Sequence, residues 1–172
     1  SLDAWLASEG VMGITGIDTR ALTRKLRVEG AMDGVLCADP DLSDAALVER
    51  ARQAPGLVGR NLVETVSRRE ALQWDHDLGE WAPLQGQVDE PGRRHRVIAL
   101  DCGAKLNILR HLTDAGCEVT VLPWDASPEQ ILEHQPDGLF VSNGPGDPAA
   151  VQRTVEHLGK LIGEVPIFGI CL

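Results

Sequence analysis

The chain has 172 residues, 43% of them hydrophobic, and a formal net charge of −10. That charge argues against nucleic acid or an anionic membrane as a partner, since both attract basic surfaces. No apolar stretch approaches the roughly 18 residues of a membrane span, and the length allows one domain or one and a half.

The opening SLDAWLASEG has no basic start and no apolar core, so no signal peptide is expected in it. In IDTRALTRKLRVEG, Asp18 is a plausible N-cap, Leu22 and Leu26 stand one turn apart, and Gly30 ends the helix. GVLCA, residues 34–38, reads as a strand. LSDAALVERARQAPG reads as a second helix, capped by Ser43 and stopped by Pro55-Gly56. Residues 57–84 give weak signals, and Gln85–Arg96 is polar, aperiodic and rich in Gly, Pro and charge, as a connector is. The composition change divides the chain into 1–92 and 93–172.

The second part is more regular. RVIALD, EVTVLP, GLFVS and VPIFGI are short apolar runs that read as strands. Between them lie three helical segments. NILRHLTDAG sets Ile108, Leu109, Leu112 and Ala115 on one face. SPEQILEHQ opens on Ser127, Pro128 and Gln130, a capping box with Pro at the first helical position. AAVQRTVEHLGKLIG predicts a buried stripe of Val151, Val155, Leu158 and Ile162. Strands apolar on both faces and joined by helices predict an α/β fold: a parallel sheet with helices on both faces. Right-handed crossovers then gather the strand-to-helix loops on one edge, where such sheets bind ligands.

Three loops at that edge carry unusual residues: DCGAK, SNGPGDP and GICL. SNGPGDP holds two glycines and two prolines. Glycine lets backbone approach a ligand and proline stiffens the loop; a tight strand-to-helix connection has the same composition. In GICL, Cys171 follows Gly169 at a strand end, where a nucleophile elbow would push the thiol outward and aim the next N–H, that of Leu172, at an oxyanion. By position alone, a small buried cysteine of a core strand is the competing reading. The four cysteines, Cys37, Cys102, Cys117 and Cys171, form no C-x-x-C pair, so no disulfide framework and no metal site is expected, and a reducing, cytoplasmic location fits.

SNGPGDP followed by VPIFGICL resembles the class I glutamine amidotransferases, which are flavodoxin-like. With IDTRALTRKLRVEGAMDG and LDCGAKLNILRHLTDAGCEVTVLP, the chain resembles the small subunit of carbamoyl-phosphate synthetase along nearly its whole length. The resemblance implies that 1–92 is the end of a smaller N-terminal domain plus connector, that 93–172 is the first half of the amidotransferase domain, and that the chain is truncated at both ends. It implies that Cys171 is the nucleophile forming a glutamyl thioester. Gly144 and Leu172 would donate N–H groups to the oxyanion, and Gly144 and Gly146 would line the L-glutamine site. Ammonia would pass to a large subunit that makes carbamoyl phosphate from bicarbonate and ATP, for arginine and pyrimidine synthesis. The chain has no G-x-x-x-x-G-K-[ST], so ATP and Mg are expected on that partner and no cofactor on this chain. Relatives usually carry an aromatic residue where Cys102 stands, read here as a packing change at the strand end.

The family's catalytic His and Glu have no counterpart in these residues. His76, His95, His111, His134 and His157 read as solvated or helix-surface groups, so little or no glutaminase activity is expected of the chain alone. The basic side of TRALTRKLR (Arg20, Arg24, Lys25, Arg27) reads as a partner face or as a solvated helix surface. Two other assignments stand beside this one: another class I amidotransferase, or a non-catalytic fragment that only binds the large subunit.

Overall fold

The computed structural model describes residues 1–82 and 93–171. Most of the expected connector, and Leu172, lie outside the described residues. The chain forms two compact units, 1–56 and 57–172.

In the first unit each helix starts at a polar side chain that accepts a backbone N–H, satisfying one of the donors that a helix start leaves open. Ser1 caps α1 (Leu2–Ser8), Asp18 caps α2 (Thr19–Glu29) and Ser43 caps α3 (Asp44–Arg52). The Asp18 bond to the Ala21 N–H is 2.9 Å. Gly30 ends α2 at φ +88°, a conformation that glycine adopts without steric cost. The strand expected at 34–38 does not form; residues 31–39 have no regular structure. A strand exists only as part of a ladder, and among the described residues this apolar run has no pairing partner.

The second unit begins with α4 (Val63–Val66) and β1 (Leu72–Trp74), and continues through β2 (His95–Asp101), α5 (Leu106–Asp114), β3 (Cys117–Pro123), α6 (Pro128–Glu133), β4 (Gly138–Val141), α7 (Gln152–Leu161) and β5 (Ile167–Gly169). The five strands lie in the order β1-β3-β2-β4-β5. β2, β3, β4 and β5 are parallel, as expected. β1 joins these parallel strands at the β3 edge and runs antiparallel, with Leu72 opposite Val121.

Alternation along the strands builds two cores. Ile98 and Leu100 of β2 face one side with Leu139, Ile131 of α6 and Leu161 of α7. Ala99, Val119, Val121 and Phe140 face the other side with Leu109 of α5 and Trp74. Helices therefore cover both faces of the α/β sheet. The capping box forms as the sequence predicts, with Gln130 N–H donating to Ser127 Oγ and Ser127 N–H donating to Gln130 Oε1.

Two burial expectations are corrected. On α7, Val155 and Ile162 are exposed, at 58% and 75%, while Thr154 and Leu161 are buried with Val151. The helix turns Val151, Thr154, Leu158 and Leu161 inward, and Thr154 is accommodated because its hydroxyl donates to the Trp124 carbonyl at 2.8 Å. In β5, Ile167 and Phe168 are exposed although the run is apolar, because β5 pairs only with β4 among the described strands.

The chain leaves β2 toward β3 on one side and later returns to β4 on the other. The carboxyl ends of β2 and β4 therefore flank the point where the winding reverses, the place where open α/β sheets form a ligand crevice.

Candidate active site

β4 sits between β2 and β5, so the three loops singled out in the sequence leave neighbouring parallel strands at the same edge. Parallel strands lie about 4.8 Å apart, which brings DCGAK, SNGPGDP and GICL into reach of one another.

At the third loop the backbone is strained. Cys171 has φ +78°, one of two non-glycine residues with positive φ among the described residues. An L-residue pays about 1–2 kcal/mol for the left-handed region, and such strain is found where a sharp turn must present a side chain. The turn is held from behind: the Ile170 N–H donates to the Val141 carbonyl at 3.1 Å, and Gly169 pairs with Val141. Cys171 is exposed. It is not the buried core cysteine of the competing reading.

The central loop is tied to its neighbour after β2 by side-chain bonds. Ser142, fully buried, accepts the Cys102 N–H at 2.9 Å and donates to the Asn143 carbonyl at 2.8 Å. The Asn143 amide spans the gap between the loops, accepting the Lys105 N–H at 3.0 Å and donating to the Gly103 carbonyl at 3.2 Å. α5 has no side-chain cap of its own, and Asn143 takes the N–H at its start. Gly144 and Gly146 are half-buried in this loop. Gly146 has φ +87°, and a Cβ there would meet the Arg60 carbonyl oxygen at 3.0 Å. Gly103, on the facing loop, has φ +109° and lies against Val66 and Pro145. The sequence reading places Cys171, Gly144 and Gly146 at this edge and the structure brings their loops together; Leu172 lies outside the described residues.

Cys102 points away from this edge chemistry. It is 1% exposed and packs with Val63 and Val151. Burial first, and the neighbouring Asp101 second, push its thiol up to about 11. That makes it a packing residue at the end of β2, as its sequence context implies. The histidines lie elsewhere. His95 opens β2 at the opposite edge, His111 is on α5 and His134 caps α6. His157 reaches the Ala126 carbonyl at 2.9 Å beyond β3, three strands from β5.

Sequence reasoning missed residues 57–68, which run along the site. Gly59 N–H donates to Asp147 Oδ2 at 2.9 Å. Trp124 N–H donates to Ser67 Oγ at 3.3 Å. Arg68 N–H donates to Asp101 Oδ2 at 2.9 Å, and Arg68 Nε lies 3.3 Å from the same oxygen as an ion pair. Asp101 also accepts the Gly103 and Ala104 N–H groups, at 3.0 and 2.8 Å, which shapes the turn after β2. Only Asn61, beside an apolar pair, hints at this segment in the sequence; the contacts themselves span 33 to 88 residues.

Comparison with known proteins places the sequence among two matching families. Residues 98–172 match the family model for glutamine amidotransferase class-I, and residues 1–36 match that for the carbamoyl-phosphate synthase small chain, CPSase domain. The carbamoyl phosphate synthase small chain of Rhodopirellula baltica is 47% identical over 179 aligned residues, covering 100% of this chain and 46% of the relative. Those of Syntrophotalea carbinolica and Methanopyrus kandleri are 44% and 45% identical, covering 100% of this chain and 45% and 44% of theirs. The chain thus spans somewhat less than half the length of the curated relatives it matches.

Proposed function

This chain belongs to the carbamoyl-phosphate synthase small-chain family, and from that premise we propose that the protein hydrolyses L-glutamine through Cys171 and delivers ammonia to a large subunit. The observation that carries the reading is the exposed thiol held at φ +78° on a strand-to-loop elbow, one strand from the glycine- and proline-rich loop after β4. That is the geometry nucleophilic acyl transfer requires.

In the proposed reaction the Cys171 thiolate attacks the side-chain carbonyl carbon of glutamine. The carbonyl π pair moves onto oxygen, and the oxyanion is stabilised by the N–H groups of Gly144 and Leu172, with Gly144 and Gly146 lining the substrate. Removing one such donor costs about 10²–10³ in rate. The carbon–nitrogen bond then breaks and ammonia leaves with a proton from a histidine outside these 172 residues. Water attacks the thioester, releasing glutamate and the thiol. The large subunit would hold ATP and Mg and combine ammonia with bicarbonate to give carbamoyl phosphate, in the cytoplasm. The match of residues 1–36 to the small-chain domain favours this over another class I amidotransferase. The thiolate is the nucleophile and a base must generate it; among the described residues no histidine bonds to the Cys171 turn, so the 172-residue chain alone should turn over little glutamine.

Cysteine labelling and one substitution test the reading. In the full-length protein, a glutamine-analogue electrophile should modify Cys171 and spare Cys102, whose buried thiol stays protonated. C171S should abolish glutamine-dependent synthesis and leave synthesis from added ammonia intact. Retention of glutamine hydrolysis by C171S refutes the proposal.

A further inference from the structure

The loop after β4 has little backbone bonding available to hold it, since Pro145 and Pro148 have no N–H. Its position comes from side chains on its two flanks. On one flank Asn143 ties it to the turn after β2. On the other, the Asp147 carboxylate accepts Gly59 N–H at Oδ2 and Ala149 N–H at Oδ1, both at 2.9 Å. Those two donors, Gly59 first, hold Asp147 below the usual carboxylate range.

The donor segment is itself anchored. Val63 is 0% exposed and packs with Cys102 and Val151. Beyond it, Arg68 is bound to Asp101 at the end of β2. Between Gly59 and Arg68 the segment packs closely on the edge loops at two glycines: a Cβ on Gly146 would lie 3.0 Å from Arg60 O, and one on Gly103 would lie 2.8 Å from Val66 Cγ2. These contacts run from 59–68 to the loop after β4, which carries the proposed Gly144 and Gly146 groups, and to the turn after β2 beside it.

We propose that residues 59–68 form a positioning brace for the loop after β4, and that Asp147 is the positioning residue through which the brace sets the Gly144 backbone. The inference rests on the glutamine-hydrolysis reading and adds to it how the donor is aimed. A displacement of about 1 Å in a positioned group can cost up to about 10² in rate. Asp147 touches no reacting atom in this scheme; it acts through the loop.

The test uses the full-length small chain assembled with its large partner, and compares glutamine-dependent with ammonia-dependent synthesis. D147A should lower kcat for glutamine hydrolysis about tenfold or more, with KM changed less than about threefold, and leave ammonia-dependent synthesis at the wild-type rate. D147N, which keeps one acceptor oxygen, should recover part of the loss. V63A loosens the brace at its buried anchor without touching Asp147; it should lower the same kcat and combine with D147A less than multiplicatively. Wild-type protein without glutamine hydrolysis overturns the underlying reading and the brace with it. Wild-type protein that hydrolyses glutamine, beside a D147A variant within twofold of it, overturns the brace alone. So does a D147A variant that loses both activities equally. Should D147A not fold, D147N is read by the labelling rate of Cys171 with a glutamine-analogue electrophile divided by its rate with iodoacetamide. The brace predicts a fall in that ratio, and an unchanged ratio overturns it.

Discussion

Gly103→Ala probes the contact between the brace and the edge loops most directly. An added Cβ would lie 2.8 Å from Val66 Cγ2 and 3.1 Å from Pro145 Cδ, and the backbone would remain at φ +109°. The backbone conformation costs an L-residue about 1–3 kcal/mol. The overlap adds about 1–3 kcal/mol, because the proline ring cannot rotate away. The expected loss of unfolding free energy is therefore about 2–6 kcal/mol, a large share of the stability of a domain this size. Val66→Ala alone should cost little, since Val66 is 52% exposed. Combined with Gly103→Ala it removes the nearer clash and leaves the backbone strain and the Pro145 contact, so the pair should be about 1–2 kcal/mol more stable than the sum of the single changes. Urea unfolding followed by the fluorescence of Trp74 and Trp124, both in this unit, measures each corner of the cycle. Gly103→Ala within about 0.5 kcal/mol of wild type refutes the whole account, and zero coupling with Val66→Ala refutes the contact.

Two further outcomes are expected. Leu161→Ala, at 0% exposure, should cost about 2–5 kcal/mol, whereas Ile162→Ala next to it, at 75% exposure, should be nearly neutral; equal effects in thermal unfolding would mean that the face of α7 is misassigned. Asp137 accepts the Arg96 N–H at 2.8 Å, and that bond first, with the Arg93, Arg96 and His95 charges after it, lowers its pKa below the ordinary 3.8. A depressed folded-state pKa stabilises the fold above the unfolded value and is lost as pH falls through the folded one. The wild type should therefore lose stability more steeply than D137N as pH falls below about 4, and parallel curves would refute the coupling.

What local chemistry sets was legible in the residues themselves. The caps at Asp18, Ser43 and Ser127 act within three residues, so the helices they start could be located from the sequence. Apolar runs separated by helices predict a parallel sheet with helices on both faces, because the crossover helices pack on those faces. The same order puts the loops bearing Gly144, Gly146 and Cys171 at one edge.

Tertiary structure decided the rest, wherever pairing or packing partners are remote. Residues 34–38 and β1 are comparable short runs, yet only β1 finds a ladder, against β3. The inward face of α7 was settled by the Trp124 carbonyl that receives the Thr154 hydroxyl, 30 residues away. The brace is the clearest case: Gly59 and Asp147 stand 88 residues apart, and neither residue's type announces the other. A helix cap draws on its own turn and so can be read along the chain, whereas a bond between distant loops exists only once the sheet has brought them together.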